Sequence, residues 1–351
     1  AAVGVGTSVS VDHATSAAFY AHQGARGSYY AIGKDLVKAQ FDFYAGSDFM
    51  QPQDKDNADA PSLYAQCEQA GYSIARGYKD YLRKAKKAKK LILLQTAEAS
   101  ERDRSSLPYA IDRTDKDMTL QEVTRAGVNF LTKQKKEGFF LMIEGGKIDW
   151  ACHSNDGATM IREITDMDEA VKVAFEFYNQ HPDETLIVVT ADHETGGLVL
   201  GRGAYKLHTD LFRYQRMSTD AYSQHLKALH AQKGDDFTWE LVENDLKQNW
   251  GFGEGVKLSE KQQKRLHNAF DAMKNGSAAD KKSLYAKVDA LADAARAVMA
   301  ECALIGWQSG GHSNGFVPVF AIGVGADAFH GQIDNTEIPQ KIAKAAGWEM
   351  K

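Results

Sequence analysis

The chain has 351 residues, and 43% of them are hydrophobic, so it can bury a substantial core as one large domain or as two. Its formal net charge of −5 at pH 7 provides no basic field for nucleic acid, which argues against a nucleic-acid-binding protein. No stretch approaches the roughly 18 consecutive apolar residues of a membrane-spanning helix, so we expect no membrane span.

Apolar, β-branched runs alternate with amphipathic segments along the chain, a pattern that predicts an α/β sheet fold. Strands are predicted at residues 3–11, 41–45, 91–95, 139–144, 185–190 and 317–324, and helices at 62–70, 120–134, 156–179 and 282–300. The helix from residue 156 has apolar side chains at three- and four-residue spacing, which predicts a stripe facing the core. This stripe consists of Met160, Ile161, Ile164, Met167, Ala170, Val171, Ala174 and Phe175.

The segment EGGKIDWACH, residues 144–153, begins at the last residue of the strand predicted at 139–144. On a helix, residues four apart lie on one face, so Asp149 and His153 should point the same way, with Glu144 at the end of the strand. A carboxylate and an imidazole placed like this suit a divalent metal such as zinc. Taken alone, the pair is more often a capping aspartate with a surface histidine. Other segments of the chain are therefore needed to distinguish a metal site from this ordinary role.

Two further histidine-containing segments adjoin predicted strands. Asp192 and His193, in TADHETGG, follow the strand predicted at 185–190, and ligands of open α/β sheets bind at such strand ends. His312, in GGHSNG, lies among glycines just before the strand predicted at 317–324. We expect Glu194 to bond the backbone of its loop. Together the three segments show a recurring pattern of metal ligands at a sheet edge.

These segments resemble the metal-binding motifs of the alkaline phosphatases and occur in that family's order. The sequence VDHATSAAFYAH, residues 11–22, is a fourth match to the family's motifs. The resemblance covers essentially the whole chain and is greatest to the bacterial members that carry His and Trp beside the metals, here His13 and Trp150. It implies a central β-sheet flanked by helices on both faces, in one domain that spans 1–351 and is incomplete at its N-terminus. Residues 205–301 are charged, show a helical pattern and fall between two metal-ligand segments, so we interpret them as a helical insertion.

The resemblance implies a site with two zinc ions and one magnesium ion. Asp149, His153 and His312 correspond to ligands of the first zinc, which in the family activates the attacking water and stabilises the leaving-group oxygen. Asp192 and His193 correspond to ligands of the second zinc, which in the family holds the nucleophile.

The third metal and the phosphate involve another group of residues. Glu144 and Thr15 correspond to ligands of the magnesium, an ion that prefers oxygen. Arg26 corresponds to the family's catalytic, phosphate-binding arginine, whose planar fork suits two phosphate oxygens. His13 and Trp150 stand where other members have Asp, and Lys or His, and are expected at the substrate. Because His13 offers nitrogen, cobalt is an alternative at the third site.

The family's nucleophilic serine and an aspartate that bridges two metals lie upstream of the region that matches residues 9–22. No Asp-Ser-Ala sequence occurs in this chain. We therefore expect the nucleophile to lie in a segment that precedes Ala1, and we expect the chain alone to be inactive. A naturally truncated, inactive relative is the alternative.

The expected function is hydrolysis of phosphomonoesters by in-line phosphoryl transfer through a phosphoserine. One alternative is a related metal hydrolase, a phosphodiesterase or sulfatase, which the upstream nucleophile would distinguish. A second is a non-catalytic metal- or phosphate-binding protein. The resemblance implies phosphomonoesters and inorganic phosphate as ligands, a homodimer, and a periplasmic or secreted location.

Overall fold

The computed structural model describes residues 1–203 and 205–349. The chain divides into two compact units. Ala1–Lys147 and Glu163–Glu176 form the first unit, and Ile148–Arg162 and Phe177–Lys351 form the second. The single domain expected from the sequence stays a prediction.

The first unit contains five strands, six complete helices and the middle part of a longer helix, residues 163–176. The strands are β1 (Ala2–Thr7), β2 (Phe43–Gly46), β3 (Tyr72–Arg76), β4 (Lys90–Leu94) and β5 (Phe139–Glu144). They form one parallel sheet in the order β3-β4-β2-β1-β5. The helices are α1 (Ala14–Ala17), α2 (Tyr29–Ala39), α3 (Leu63–Gln69), α4 (Tyr78–Lys84), α5 (Ala97–Arg102) and α6 (Leu120–Leu131).

Helices cover both faces of this sheet. Phe43 and Ala45 of β2 lie in one hydrophobic core with Val123 of α6. Tyr44, between them in the strand, lies in a second core with Leu63 of α3. Side chains of a strand alternate between the two faces, and an all-parallel sheet is normally buried on both. The predicted α/β class with a sheet flanked by helices is therefore confirmed.

Strand β1 is packed closely by α6 because it carries glycines at the contact. A Cβ atom added to Gly4 would lie 2.8 Å from Leu131 Cδ1, and one added to Gly6 would lie 2.9 Å from Val123 Cγ1. Both distances are too short for a real side chain, so the helix rests on the strand backbone. The segment with His13 continues from the end of this strand.

The second unit is composed of helices and short strand pairs. Helices α7 (Gly146–His153) and α8 (Gly157–Gln180) contain residues of both units. The remaining helices are α9 (Thr219–Lys233), α10 (Trp239–Trp250), α11 (Glu260–Lys274), α12 (Ala290–Cys302) and α13 (Glu337–Ala345). The strands are β6 (Leu186–Val189), β7 (Glu194–Thr195), β8 (Leu198–Leu200), β9 (Lys281–Lys282), β10 (Lys287–Val288), β11 (Ile305–Trp307), β12 (His312–Ser313) and β13 (Phe320–Gly323).

The strands of the second unit pair antiparallel, two by two: β6 with β13, β7 with β12, β8 with β11, and β9 with β10. Helices α9 to α11 lie within the range 205–301, α12 extends one residue beyond it, and the four helices share a core that includes Tyr222, Trp250, Leu266 and Val298. The interpretation of this range as an insertion stays a prediction. In the part of the chain that the structure describes, no helix has both the length and the apolar character needed to cross a membrane.

The helix predicted at 282–300 begins later than expected. Residues of β9 and β10 form a short hairpin, and α12 begins only at Ala290. The Asp289 side chain accepts the backbone N–H groups of Leu291 and Ala292, which fixes the helix start there. Strand β3 is also absent from the sequence prediction, because Tyr72–Arg76 lacks a continuous apolar run.

The stripe predicted on α8 is wrong in part. Ile164 and Phe175 are 47% and 43% exposed, whereas Glu163 and Val173 are buried. The Glu163 side chain accepts the backbone N–H of Ala110 at 2.6 Å, so this polar residue has a hydrogen-bond partner at its buried position. Apolar periodicity alone could not identify this partner.

Candidate metal centre

Helix α7 places Asp149 and His153 on one face. His153 Nε2 lies 3.4 Å from Asp149 Oδ1. The other ring nitrogen, His153 Nδ1, lies 2.7 Å from the carbonyl oxygen of Gly310. Because a carbonyl oxygen can only accept, Nδ1 carries the hydrogen and Nε2 presents a lone pair. Metal-ligating histidines are commonly oriented by such a bond from the second nitrogen.

The pairing of β7 with β12 brings His312 to this helix. His312 lies opposite Thr195 in the antiparallel register. Glu194 closes the two loops, since its side chain accepts the N–H groups of Gly197 at 2.6 Å and Ser313 at 3.1 Å. Desolvation works against ionisation of Glu194, but the hydrogen bonds from Ser313 and Gly197 hold its pKa below the usual value. The prediction that Glu194 bonds its own loop is thus supported by the geometry.

Three ligating atoms converge in this arrangement. His312 Nε2 lies 3.2 Å from His153 Nε2 and 3.7 Å from Asp149 Oδ1. The lone pair of His153 therefore faces another ring nitrogen and a carboxylate, and a positive charge between them satisfies all three. Ligands at about 2.0–2.1 Å from a tetrahedral zinc lie about 3.3 Å apart, which matches these spacings.

This donor set fits a catalytic zinc better than a structural one. Two imidazoles and one carboxylate leave the fourth tetrahedral position open, whereas structural zinc sites are usually closed by four protein ligands. In residues 1–203 and 205–349, Asp149, His153 and His312 are the only group of three or more His, Cys, Asp or Glu side chains with ligating atoms within 4.8 Å of one another.

Thr195 connects this group with the second predicted pair of ligands. Its hydroxyl donates to Asp149 Oδ1 at 2.6 Å and lies 3.3 Å from His193 Nδ1. His193 Nδ1 is also 3.3 Å from the carbonyl oxygen of Glu194. Both neighbours can accept, so Nδ1 donates and Nε2 is left with a lone pair, 3.3 Å from Asp192 Oδ2. Thr195 was not among the site residues predicted from the sequence.

His193 also stacks on His312, with ring centroids 3.6 Å apart. The second predicted pair of ligands, Asp192 and His193, therefore lies directly beside the first group. Asp192 is largely exposed, and its carboxylate is open to a ligand or to solvent.

In the first unit, Glu144 lies at the carboxyl end of β5 and opposite Thr7 of β1. The Thr7 hydroxyl donates to Glu144 Oε2 at 2.5 Å, and the Ser16 hydroxyl lies 3.4 Å from the same oxygen. Thr15, the predicted ligand, is the residue next to Ser16 in α1. Thr7 and Ser16 were missed by the sequence analysis. A parallel pairing of the strands that end in Thr7 and Glu144 would have indicated the first.

His13 and Arg26 are in contact. Arg26 Nη2 lies 3.3 Å from His13 Nε2. A guanidinium group can only donate, so His13 Nε2 accepts in this contact. His13 is buried and Arg26 is exposed, so the ring supports an arginine that reaches into solvent.

Trp150 is buried beneath a residue that the sequence analysis did not single out. Its ring stacks on Tyr285 with a centroid distance of 4.3 Å and an interplanar angle of 13°. The Tyr285 ring also meets the His153 ring edge-on at 5.5 Å. No feature of the sequence indicated Tyr285, because it is distant in sequence from Trp150 and lies in the range with the least specific resemblance to the family.

Comparisons with known proteins agree on one family. The family model described as "Alkaline phosphatase" matches residues 1–348. Alkaline phosphatase 3 of Bacillus subtilis (strain 168) is 31% identical over 100% of this chain and 69% of that protein. Alkaline phosphatase 4 of the same organism is 29% identical over 95% of this chain and 65% of that protein. The chain thus spans about two thirds of the length of these relatives.

A solved structure with the same fold comes from a cold-adapted bacterium. The cold-active alkaline phosphatase of the psychrophile Shewanella sp. superimposes with a TM-score of 0.76 at 30% sequence identity. The match covers 98% of this chain and 75% of that one.

Proposed function

The chain belongs to the alkaline phosphatase family, and from this premise we propose that the protein hydrolyses phosphomonoesters at a site for two zinc ions and one magnesium ion. The observation that carries the proposal is the convergence of Asp149, His153 and His312 with the spacing of zinc ligands. When bound, the metals would supply Lewis-acid stabilisation of the charge that develops on the phosphoryl oxygens.

The residues of the second unit are assigned to the zinc ions. Asp149, His153 and His312 are proposed for the first ion, and Asp192 and His193 for the second. The Gly310 carbonyl and the Thr195 hydroxyl support this assignment, because each orients a proposed ligand through a hydrogen bond at 2.6 or 2.7 Å. Such supporting contacts fix the direction in which a ligand presents its lone pair.

The residues of the first unit are assigned to magnesium and to the phosphate. Glu144 and Thr15 are proposed as magnesium ligands, with cobalt as the alternative ion. Arg26 is proposed to bind two phosphate oxygens with its fork, a contact that is both charged and directional. The contact between Arg26 and His13 supports a role for the histidine in holding that arginine.

The proposed chemistry is an attack by a serine hydroxyl on phosphorus, with departure of the alcohol and later hydrolysis of the phosphoserine. We place this serine before Ala1 in the full-length protein, as the family resemblance implies. Export to the periplasm or the medium, and a homodimer, are proposed on the same basis.

The test uses the full-length protein with p-nitrophenyl phosphate, bis-p-nitrophenyl phosphate and p-nitrophenyl sulfate. We expect hydrolysis of the monoester to dominate, to stop with a chelator, and to return with zinc and magnesium. His153→Ala should abolish most turnover, whereas His330→Ala, at a side chain that is 81% exposed, should leave it unchanged. Preferred hydrolysis of the diester or the sulfate, or full activity in His153→Ala, would contradict the proposal.

A further inference from the structure

The short hairpin of residues 281–288, called here the Tyr285 hairpin, lies against helix α7. Its two strands, β9 and β10, pair Lys282 with Lys287. Tyr285 stands in the turn between them and covers Trp150 with its ring. A second contact joins the hairpin to the end of α7, where Ser283 Oγ lies 3.3 Å from Ser154 Oγ.

The hairpin is itself firmly attached. Ser283 and Ala286 exchange hydrogen bonds across the turn, at 2.8 Å between backbone atoms and 3.0 Å from the Ala286 N–H to the Ser283 hydroxyl. Val288 is buried in the core of the second unit. Directly after it, the Asp289 N–H donates to Ser223 Oγ at 2.9 Å. Tyr285 is therefore held by a local turn and by an anchored strand end.

The contacts of His153 show what this attachment does. The hydrogen bond from His153 Nδ1 to the Gly310 carbonyl oxygen holds the position of this nitrogen. The imidazole ring can still rotate about the axis of that bond. Tyr285 meets the ring at an interplanar angle of 66° and so blocks the tilt on one side. The stacked Trp150, on the same helix turn, is fixed by the same tyrosine.

We propose that Tyr285 is a positioning residue that fixes the rings of His153 and Trp150 and thereby sets the zinc affinity of the Asp149, His153 and His312 group. This inference rests on the proposed function for the identity of the ion. Removal of a side chain that orients a metal ligand typically weakens the metal affinity about 10- to 100-fold. The hydroxyl of Tyr285 is not needed for this role, since both contacts involve the aromatic ring.

The first measurement is the zinc dissociation constant of the full-length protein, determined by competition with a chromophoric chelator. Tyr285→Phe retains the ring and should bind zinc like the unmodified protein. Tyr285→Ala and the bulkier Tyr285→Leu should each bind about tenfold more weakly. The matched control is Leu284→Ala, which removes a 60% exposed side chain from the same turn and should leave the affinity unchanged.

The second measurement is tryptophan fluorescence of the metal-free protein, with each variant also made in a Trp150→Phe background to isolate the Trp150 signal. Tyr285→Ala and Tyr285→Leu should shift the Trp150 emission to longer wavelength, because the indole loses its cover and gains water. Tyr285→Phe and Leu284→Ala should not.

Unchanged zinc affinity in folded Tyr285→Leu, or equal effects of Tyr285→Leu and Leu284→Ala, would overturn the inference. If Tyr285→Ala does not fold, the comparison of the leucine and phenylalanine variants decides the question alone. Failure of the unmodified protein and of every variant to bind zinc would instead overturn the proposed function, and this inference with it. That result is distinguishable from failure of the inference alone, because no protein, modified or unmodified, would then show zinc binding.

Discussion

At the scale of single residues, the candidate metal centre depends on which nitrogen of each histidine carries its hydrogen. His153 and His193 both direct Nδ1 toward backbone carbonyl oxygens, those of Gly310 and Glu194. Each ring thereby keeps its Nε2 lone pair for another partner. In His13 the Nε2 lone pair is already occupied by Arg26. His13 therefore supports the arginine in this structure, and its influence on a third metal stays a prediction.

Arg26→Ala should raise the Michaelis constant and weaken inhibition by phosphate, each by about tenfold or more, because it removes charge-assisted bonds. Turnover should survive in part, since the proposed metal ligands are untouched. Steady-state kinetics with p-nitrophenyl phosphate in the full-length protein provide the measurement. The exposed Arg83→Ala is the control for loss of one surface charge. An unchanged Michaelis constant in Arg26→Ala would remove this residue from the phosphate site.

Glu163 provides a prediction about pH. Burial, opposed by the hydrogen bond from Ala110 and by Lys147, raises the pKa of Glu163 to about 7. Its pKa is thus higher in the folded than in the unfolded chain, so the folded chain holds this proton more tightly. Between about pH 4.5 and 7 the unfolded chain has lost the proton and the folded chain has not, and the free energy of unfolding contributed by this group falls as the pH rises.

The free energy of unfolding of Glu163→Gln, relative to that of the unmodified protein, should therefore rise from about pH 4.5 to 7. Above that range the difference should stay constant. The amide oxygen can still accept the Ala110 N–H. Urea unfolding at several pH values measures the effect, and the exposed Glu137→Gln controls for the lost charge. A difference that is independent of pH would mean that Glu163 titrates normally in the folded protein.

At the scale of elements, the start of helix α8 is tied to the start of α9 by one carboxylate. Asp156 caps α8 by accepting the Thr159 N–H at 3.1 Å. It also accepts the Gln215 side-chain amide at 3.0 Å and the Thr219 N–H at 2.8 Å. The side chain is buried, so these donors have no access to water that could replace it.

Asp156→Ala should lower the free energy of unfolding by about 3 kcal/mol or more, because it leaves several buried donors unpaired. Asp156→Asn should cost less, since its oxygen can still accept. A suitable comparison is Ser259→Ala, which removes an exposed helix cap and should cost only about 1 kcal/mol. Urea unfolding would measure all three. Equal costs for Asp156→Ala and Ser259→Ala would mean that the links to Gln215 and Thr219 contribute nothing.

The sequence was informative where local pattern decides structure. Strand β5 has the bounds predicted from its apolar run. The placement of Asp149 and His153 on one face of a helix follows from their spacing of four residues. The Tyr285 hairpin was missed because its lysine-rich strands have no apolar alternation. Tyr285 itself was missed because stacking on Trp150 is a long-range contact that no local pattern encodes.

At the scale of the whole molecule, bound ions should add to stability. If zinc binds only the folded protein, zinc at about 100 times its dissociation constant should raise the free energy of unfolding by about 2.7 kcal/mol. Thermal unfolding with and without zinc measures this in the full-length protein. His153→Ala should lose most of the increase, whereas His330→Ala should retain it. An equal increase in both variants would place the stabilising ion elsewhere.

The group of Asp149, His153 and His312 also has a consequence for the order of folding. His153 and His312 are separated by 159 positions, so bringing them together requires closing a very long loop. We expect the pairing of β7 with β12 and the surrounding core to offset the entropy cost of that closure before an ion gains its ligands. Zinc should therefore leave the refolding rate nearly unchanged and slow unfolding, because its contacts form after the rate-limiting step.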